Sequence, residues 1–200
     1  MNTLSFTKRF VDRVGLGGPT RRVWRFLFSA ASRLAARHTF LMPALYRIRI
    51  AVEKANYHAV GDVHDLPPIF DYWANKHLVP KLAPFGFRTP DEFFVNAILD
   101  CCLRSSHPTK RFVSIGAGNC DAEARIAKRL LELGRRDFLI ECLDVNPEML
   151  SRGLEHARAA GVEGFITTLE TDFNGWRPAH GYDGVIANQS LHHVLDLEHL

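Results

Sequence analysis

The residues best suited to chemistry fall in four short clusters in the second half of the chain. Gly116-Ala117-Gly118-Asn119-Cys120-Asp121 follows a short apolar run and precedes a helical one. Glycines let the backbone turn sharply and come close to a ligand. The helix start behind them offers unpaired N–H groups and partial positive charge, which suits a pyrophosphate or a carboxylate. A dinucleotide-binding loop wants glycine where this chain has Asp121, and an acid there would face a pyrophosphate and repel it. Asp144 follows the next apolar run, where a carboxylate can accept hydrogen bonds from both hydroxyls of a ribose. It could instead cap the following helix, but Asn146 fills that role better. In Thr171-Asp172-Phe173 the acid can accept from an adenine amino group while the aromatic neighbour packs the ring. Standing alone, Asp172 would be a solvated loop residue. Asn188-Gln189-Ser190-Leu191-His192-His193-Val194 places polar groups at the mouth of a parallel sheet, where ligands lie. Adjacent histidines point to different sides of a helix, so His192 and His193 make a poor metal site. No metal is expected, and no catalytic residue can be assigned.

The elements that must position these clusters follow from apolar periodicity. From Arg111 onward strands and helices alternate, the pattern of a parallel sheet covered by helices. Phe112–Ile115, Phe138–Leu143, Phe165–Leu169 and Tyr182–Ala187 read as four strands. A helix is expected from Ala122 to Leu133, with Ile126, Ala127, Leu130 and Leu131 inward and Gly134 ending it. Asn146-Pro147-Glu148 opens the next as cap, first-turn proline and acid, with Met149, Leu150, Leu154 and Ala157 inward and Gly161 beyond its end. Upstream, Thr89-Pro90-Asp91-Glu92 opens a helix whose expected buried face is Phe93, Phe94, Ala97, Ile98 and Cys101. Asp71–Leu78 also looks helical, with Pro80, Pro84 and Gly86 breaking the stretch beyond it. Its Tyr72, Trp73, Asn75 and His77 could serve as a lid over a ligand or as an aromatic helix packed on the sheet.

Composition divides the chain further. Residues 1–50 hold ten of the 25 Lys/Arg and, in Asp12, one of the 22 acidic residues, so the basic end needs its own explanation. The expected organisation is a basic, partly amphipathic extension over 1–65, a helical cap or lid segment over 66–108, and a ligand-binding domain over 109–200. Arg25, Arg33 and Arg37 interrupt the apolar runs of the extension, leaving no span of about twenty apolar residues to cross a bilayer. It suits peripheral contact with an anionic surface, a poorly ordered leader, or, more remotely, a twin-arginine or organellar targeting segment. No nucleic-acid module is recognisable, so nucleic acid is not an expected partner. The four cysteines form no C-x-x-C pair, which disfavours a zinc site or disulfide framework and fits the cytoplasm.

The four clusters in order carry a resemblance. Val113-Ser114-Ile115-Gly116-Ala117-Gly118 resembles motif I of the class I, Rossmann-like S-adenosylmethionine-dependent methyltransferases. Leu143-Asp144-Val145-Asn146-Pro147-Glu148-Met149-Leu150 resembles the segment next in that family's order. Glu170-Thr171-Asp172-Phe173 resembles the adenine loop, and Tyr182–Ile186 through Leu191-His192-His193 the fourth motif. The resemblance covers roughly 109–200 and implies a doubly wound, mainly parallel α/β sheet preceded by a helical N-terminal region. It implies S-adenosyl-L-methionine as cofactor, with Gly116 and Gly118 approaching its methionine and ribose parts. Asp144 would hold the ribose and Asp172 with Phe173 the adenine, with Ala117, Val145 and Asn188 in the same cofactor-binding set.

Two departures stand out: Ser114 where the family often has an acid, and Cys120 where it often has a third glycine. Family members also complete the sheet with further strands. This sequence stops at Leu200, so the sheet is expected to be incomplete and to leave strand four, with Val185 and Ile186, as an open edge. The expected activity is methyl transfer to an acceptor of unknown identity, with a small molecule, sugar or lipid-linked glycan preferred. The alternatives are a non-catalytic adenosyl-ligand-binding protein and an NAD-dependent oxidoreductase. The oligomeric state cannot be read.

Overall fold

The computed structural model describes residues 67–195 and 197, together with 46–48, 50–52 and 54. The chain divides into two units, Met1–Gly61 and Asp62–Leu200. In the first, the described residues are helical; the amphipathic, membrane-contact and targeting expectations for the extension otherwise lie outside the described residues. In the second, 66–108 and 109–200 fall together. No helix among the described residues is long and apolar enough to cross a membrane.

The second unit is built on four strands: β1 (Lys110–Ile115), β2 (Phe138–Asp144), β3 (Ile166–Glu170) and β4 (Gly184–Ile186). All pair in parallel, in the order β3-β2-β1-β4. This is a Rossmann-like α/β fold. The chain winds outward from β1 through β2 to β3 and then returns to the far side of β1, so the winding reverses between β1 and β4. Ligands of open α/β sheets bind outside the carboxyl ends of the strands at that reversal. Side chains of β1 are buried on both faces, as parallel strands require. Phe112 packs with Ile126, Leu130 and Ile140 on one face, and Val113 and Ile115 with Leu143 and Phe173 on the other. Each such large side chain contributes about 1.5–3 kcal/mol on burial.

Helices cover the first face. Helix α3 (Pro90–Arg104) starts at Thr89, whose hydroxyl accepts from the Glu92 N–H at 3.1 Å, while the Glu92 carboxylate accepts from the Arg88 N–H. Helix α4 (Asp121–Glu132) ends at Gly134 (φ +80°), where the Gly134 and Arg135 amides return to the Leu131 and Leu130 carbonyls. Helix α5 (Pro147–Ala159) is capped by Asn146, which accepts from the Glu148 and Met149 N–H groups, and closes the same way at Gly161. Both closures are the two-bond Schellman arrangement. The second face is covered by the 172–194 segment, with Trp176, Tyr182, Ala187 and Val194 against its cluster.

Several expectations are corrected. Helix α3 buries Val95, Ile98 and Cys102, while Phe93 and Ala97 are exposed. Three consecutive apolar residues, Phe93-Phe94-Val95, admit more than one stripe, and contact with the helix Asp121–Glu132 and with β4 selects the one through Val95. Upstream, α1 (Pro68–Trp73) does not break at Pro80. It passes through a π turn, Ala74–Leu78, into α2 (Val79–Leu82). A widened turn accommodates a proline that can neither donate to the carbonyl four residues back nor pack tightly against it. The helix finally ends at Gly86, φ +88°. No residue of 68–85 is buried, and Tyr72 and Trp73 are 57% and 52% exposed. Strand β4 is shorter than Tyr182–Ala187 because Tyr182 and Asp183 are used elsewhere: Tyr182 donates to Glu141, and Asp183 accepts from Ser105 and the Arg111 N–H. β4 lies at the sheet edge with Val185 63% exposed.

Candidate functional site

The carboxyl ends of β1, β2, β3 and β4 carry the four clusters, and backbone geometry joins them. After β1 the chain turns through Gly116 (φ +66°) and Gly118 (φ +56°). At Gly116 a side chain is excluded twice over, because a Cβ there would lie 2.6 Å from the Cβ of Ser190. Ser190 comes from the segment after β4, so the reversal between β1 and β4 is closed by a glycine against a serine. Ser190 is 3% exposed, and its hydroxyl has no partner. The residue before it, Gln189, takes φ +59°, a conformation that costs a non-glycine residue about 1 kcal/mol or more and collects at functional sites.

Asp144 is the junction of three strand ends. Its carboxylate accepts from the Gly118 N–H at 2.9 Å and from the Asn146 N–H at 2.8 Å. Its carbonyl accepts from the Thr171 N–H at 3.0 Å. The Ala117 N–H meanwhile donates to the Leu143 carbonyl at 3.0 Å. Val145 is half-buried in the same turn, and the cap Asn146 is 4% exposed with its Nδ2 unpartnered. Asp172 is held locally: its Oδ1 accepts from the Asn174 backbone and side-chain N–H groups. Asn174 in turn donates to the His193 carbonyl and accepts from the Leu195 N–H, tying the loop after β3 to the segment after β4. Phe173 is 6% exposed and packs with Val113, Ile115 and Leu143, its ring edge 3.6 Å from where a Gly116 Cβ would stand. Asn188 is half-buried beyond β4. The His192 and His193 rings do not diverge; their centroids are 3.9 Å apart in the short 3-10 turn Leu191–His193. Among the described residues no cluster of His, Cys, Asp and Glu could hold a metal ion.

Cys120 is accommodated in the loop, whereas Asp121 behaves differently from expectation. Cys120 takes φ +51° at the start of α4 and is fully buried. Room for it is made by Gly153 on α5, where a Cβ would lie 2.6 Å from the Cys120 sulfur and 3.0 Å from the Asn119 carbonyl. The thiol of Cys142 on β2 is pushed well up by its Cys120 neighbour and then by burial, so it is no nucleophile. Asp121 does not face the loop interior. Its carboxylate pairs with Arg125 at 2.8 Å, and Arg125 reaches Asp91 of α3 at 2.6 Å.

The acid that does lie under the loop is one that the clusters did not include. Glu123, in the first turn of α4, is 2% exposed and accepts from the Ser114 hydroxyl at 2.6 Å; its other oxygen has no partner. Burial pushes its carboxyl from the ordinary 4.5 up to about 7, against the lowering effect of the Ser114 hydrogen bond. Its sequence signal was its position: 123, 126, 127 and 130 form one apolar stripe of α4 interrupted by a charge. Ser190 and Asn174 carried no such signal, since turn polar residues are ordinary.

No family model matches the chain, and no curated protein matches it either. Solved structures do resemble it. A SAM-dependent methyltransferase from Thiobacillus denitrificans in complex with S-adenosyl-L-homocysteine is 18% identical over 62% of this chain and 44% of its own, with a TM-score of 0.36. One from Geobacter sulfurreducens, also with S-adenosyl-L-homocysteine, is 17% identical over 62% and 43%, TM-score 0.36. The [4+2]-cyclase SpnF is 15% identical over 46% and 32%, TM-score 0.34. The chain thus spans less than half the length of each. Likeness at this level assigns neither family nor activity, and the functional reading rests on the strand-end geometry.

Proposed function

We propose that the chain is the cofactor-binding part of an S-adenosylmethionine-dependent methyltransferase. The observation that carries this reading is Asp144: one carboxylate at the end of β2 fixes, through Gly118, the glycine loop that leaves β1 at the β1/β4 reversal. An acid so placed serves a ribose. The residues fit the group. Gly116 and Gly118 keep positive-φ backbone free of side chains, and buried, unpartnered Ser190 Oγ and Asn146 Nδ2 flank the same loop.

On this reading Gly116, Ala117 and Gly118 pass their backbone along the methionine and ribose parts. Asp144 orients the ribose, with Val145 packing beside it. Asp172 accepts from the adenine amino group, Phe173 stiffens the floor beneath Gly116, and Asn188 lines the mouth of the crevice. The cofactor supplies a methyl group already activated on a sulfonium. The protein need only align an acceptor in line with it and exclude water. No residue is assigned as a base, and the acceptor, a small molecule, sugar or glycan, belongs to the proposal and not to the fold.

Calorimetric titration with S-adenosylhomocysteine tests the reading, with NAD as control. The wild-type chain should bind the first, and Asp144→Ala should weaken that binding at least tenfold, since it removes a charged acceptor and releases the loop amide. Equal affinity of both proteins, or binding of NAD alone, would overturn it.

A further inference from the structure

A glycine loop at the start of a helix should attract anions. The aligned peptide dipoles leave about half a positive charge at that end, and a pyrophosphate is its usual guest. The sequence pointed to Asp121 as the residue that spoils this preference, but Asp121 is turned to Arg125 and neutralised there. Glu123 is the acid left beneath the loop. It sits where the loop returns to β1, with its carboxyl on Ser114, two residues before Gly116.

Nothing in the packing explains why this residue is ionisable. A glutamine or methionine would fill the same space, whereas a buried carboxyl with an orphaned oxygen carries a desolvation cost that only an interaction of its charge can offset. The cations nearby are committed elsewhere. On its own helix Arg125 serves Asp91 and Asp121. From α5, Arg152 and His156 reach Asn119. The charges that do act on the Glu123 carboxyl come from its own helix, Asp121 raising it and Arg125 lowering it, while from β2 the Cys142 thiol is within its reach.

We propose that Glu123 is the charge filter of this site: its carboxylate reverses the sign of the helix end, favouring a ligand that presents an ammonium group to the Gly116–Cys120 loop and disfavouring one that presents a pyrophosphate. The proposal deepens the adenosyl-cofactor reading and rests on it. An aminoacyl chain offers that ammonium group and a dinucleotide does not. Glu123 is a positioning and specificity residue, since its oxygens are buried and act across the loop.

The sign of the effect is fixed. Below neutrality Glu123 is protonated and the filter is off; as it ionises near pH 7, affinity for the ammonium-bearing ligand rises. A unit charge acting across the loop through an intermediate dielectric is worth roughly a tenfold change. Calorimetry of the full chain with S-adenosylhomocysteine and with NAD, from about pH 6 to about pH 8 in two buffers of different ionisation enthalpy, reads this directly. Wild-type affinity for S-adenosylhomocysteine should rise about tenfold, with proton release near pH 7, while Glu123→Gln shows neither and gains affinity for NAD at the upper pH. If the variant fails to fold, wild-type proton release still decides: a flat affinity without it overturns the filter. The same pH profile in both proteins overturns the filter alone. Absence of S-adenosylhomocysteine binding at every pH overturns the cofactor reading and the filter together.

Discussion

At the scale of single residues, the contact between Gly153 and the Cys120 loop is as tight as that of Gly116 on Ser190. Alanine at 153 would gain up to about 1 kcal/mol in helix propensity. Its Cβ would meet the Cys120 sulfur at 2.6 Å and the Asn119 carbonyl at 3.0 Å. The sulfur can shift a little, but the carbonyl belongs to a loop fixed by Arg152 and Asp144. Overpacking of this kind costs about 1–3 kcal/mol and should win. Gly153→Ala is therefore expected to lower stability by about 1–2 kcal/mol in urea unfolding. Cys120→Gly, which relieves both the φ of +51° and the sulfur contact, should recover more than half of the loss. Additive single and double mutants would show that the two residues do not share the space. The chain thus replaces a third loop glycine by moving the missing side chain to the facing helix.

At the scale of elements, Asp183 holds together the amino ends of β1 and β4. Its side chain, 8% exposed, accepts from the Ser105 hydroxyl at 2.6 Å, from His107 at 2.9 Å and from the Arg111 N–H at 2.8 Å. Burial alone would raise its carboxyl, but these partners outweigh it and hold it below the ordinary range. Asp183→Ala should cost about 2 kcal/mol, because three charge-assisted bonds to a buried carboxylate are lost together. Since the folded carboxyl titrates low, that contribution is present above the ordinary carboxylate range and fades as pH falls through the depressed value. The gap between wild type and variant in thermal unfolding should therefore close in strong acid, and a pH-independent gap would show that packing alone was lost. Strand and helix types were legible because the apolar periods were clean, and the caps at Thr89 and Asn146 and the stops at Gly134 and Gly161 stood where their chemistry placed them. What escaped was orientation. Nothing local distinguishes Val95 from Phe93 as the inward residue of α3, or tells Asp183 that it will leave its strand to serve α3 and β1. The same blindness hid Glu123, since only the assembled sheet shows that its face of α4 lies on Ser114.

For the whole molecule, these opposed titrations predict a particular dependence of stability on pH. Asp183 and Asp137 are held low in the folded state, Asp183 by its three partners and Asp137 chiefly by Lys110, so the folded protein loses stability in acid. Glu123 is the reverse case: its folded carboxyl titrates near 7 against the ordinary 4.5. Between those values the folded state binds a proton that the unfolded state has released, so stability falls as pH rises through that window and levels off above it. A full expression of that shift corresponds to about 3 kcal/mol, and relaxation around the carboxylate will reduce it. Stability should accordingly peak on the acid side of neutrality and decline by about 2 kcal/mol toward pH 8. Glu123→Gln should share the acid limb and lack the neutral decline, so that the two curves part between pH 4.5 and about 7. Urea unfolding of both proteins across that range measures this. Parallel curves would mean that Glu123 ionises at its ordinary value, with no burial cost to its charge. Diverging curves would mean that the folded protein sustains an unfavourable buried charge at working pH, a cost that a ligand ammonium group would offset on binding.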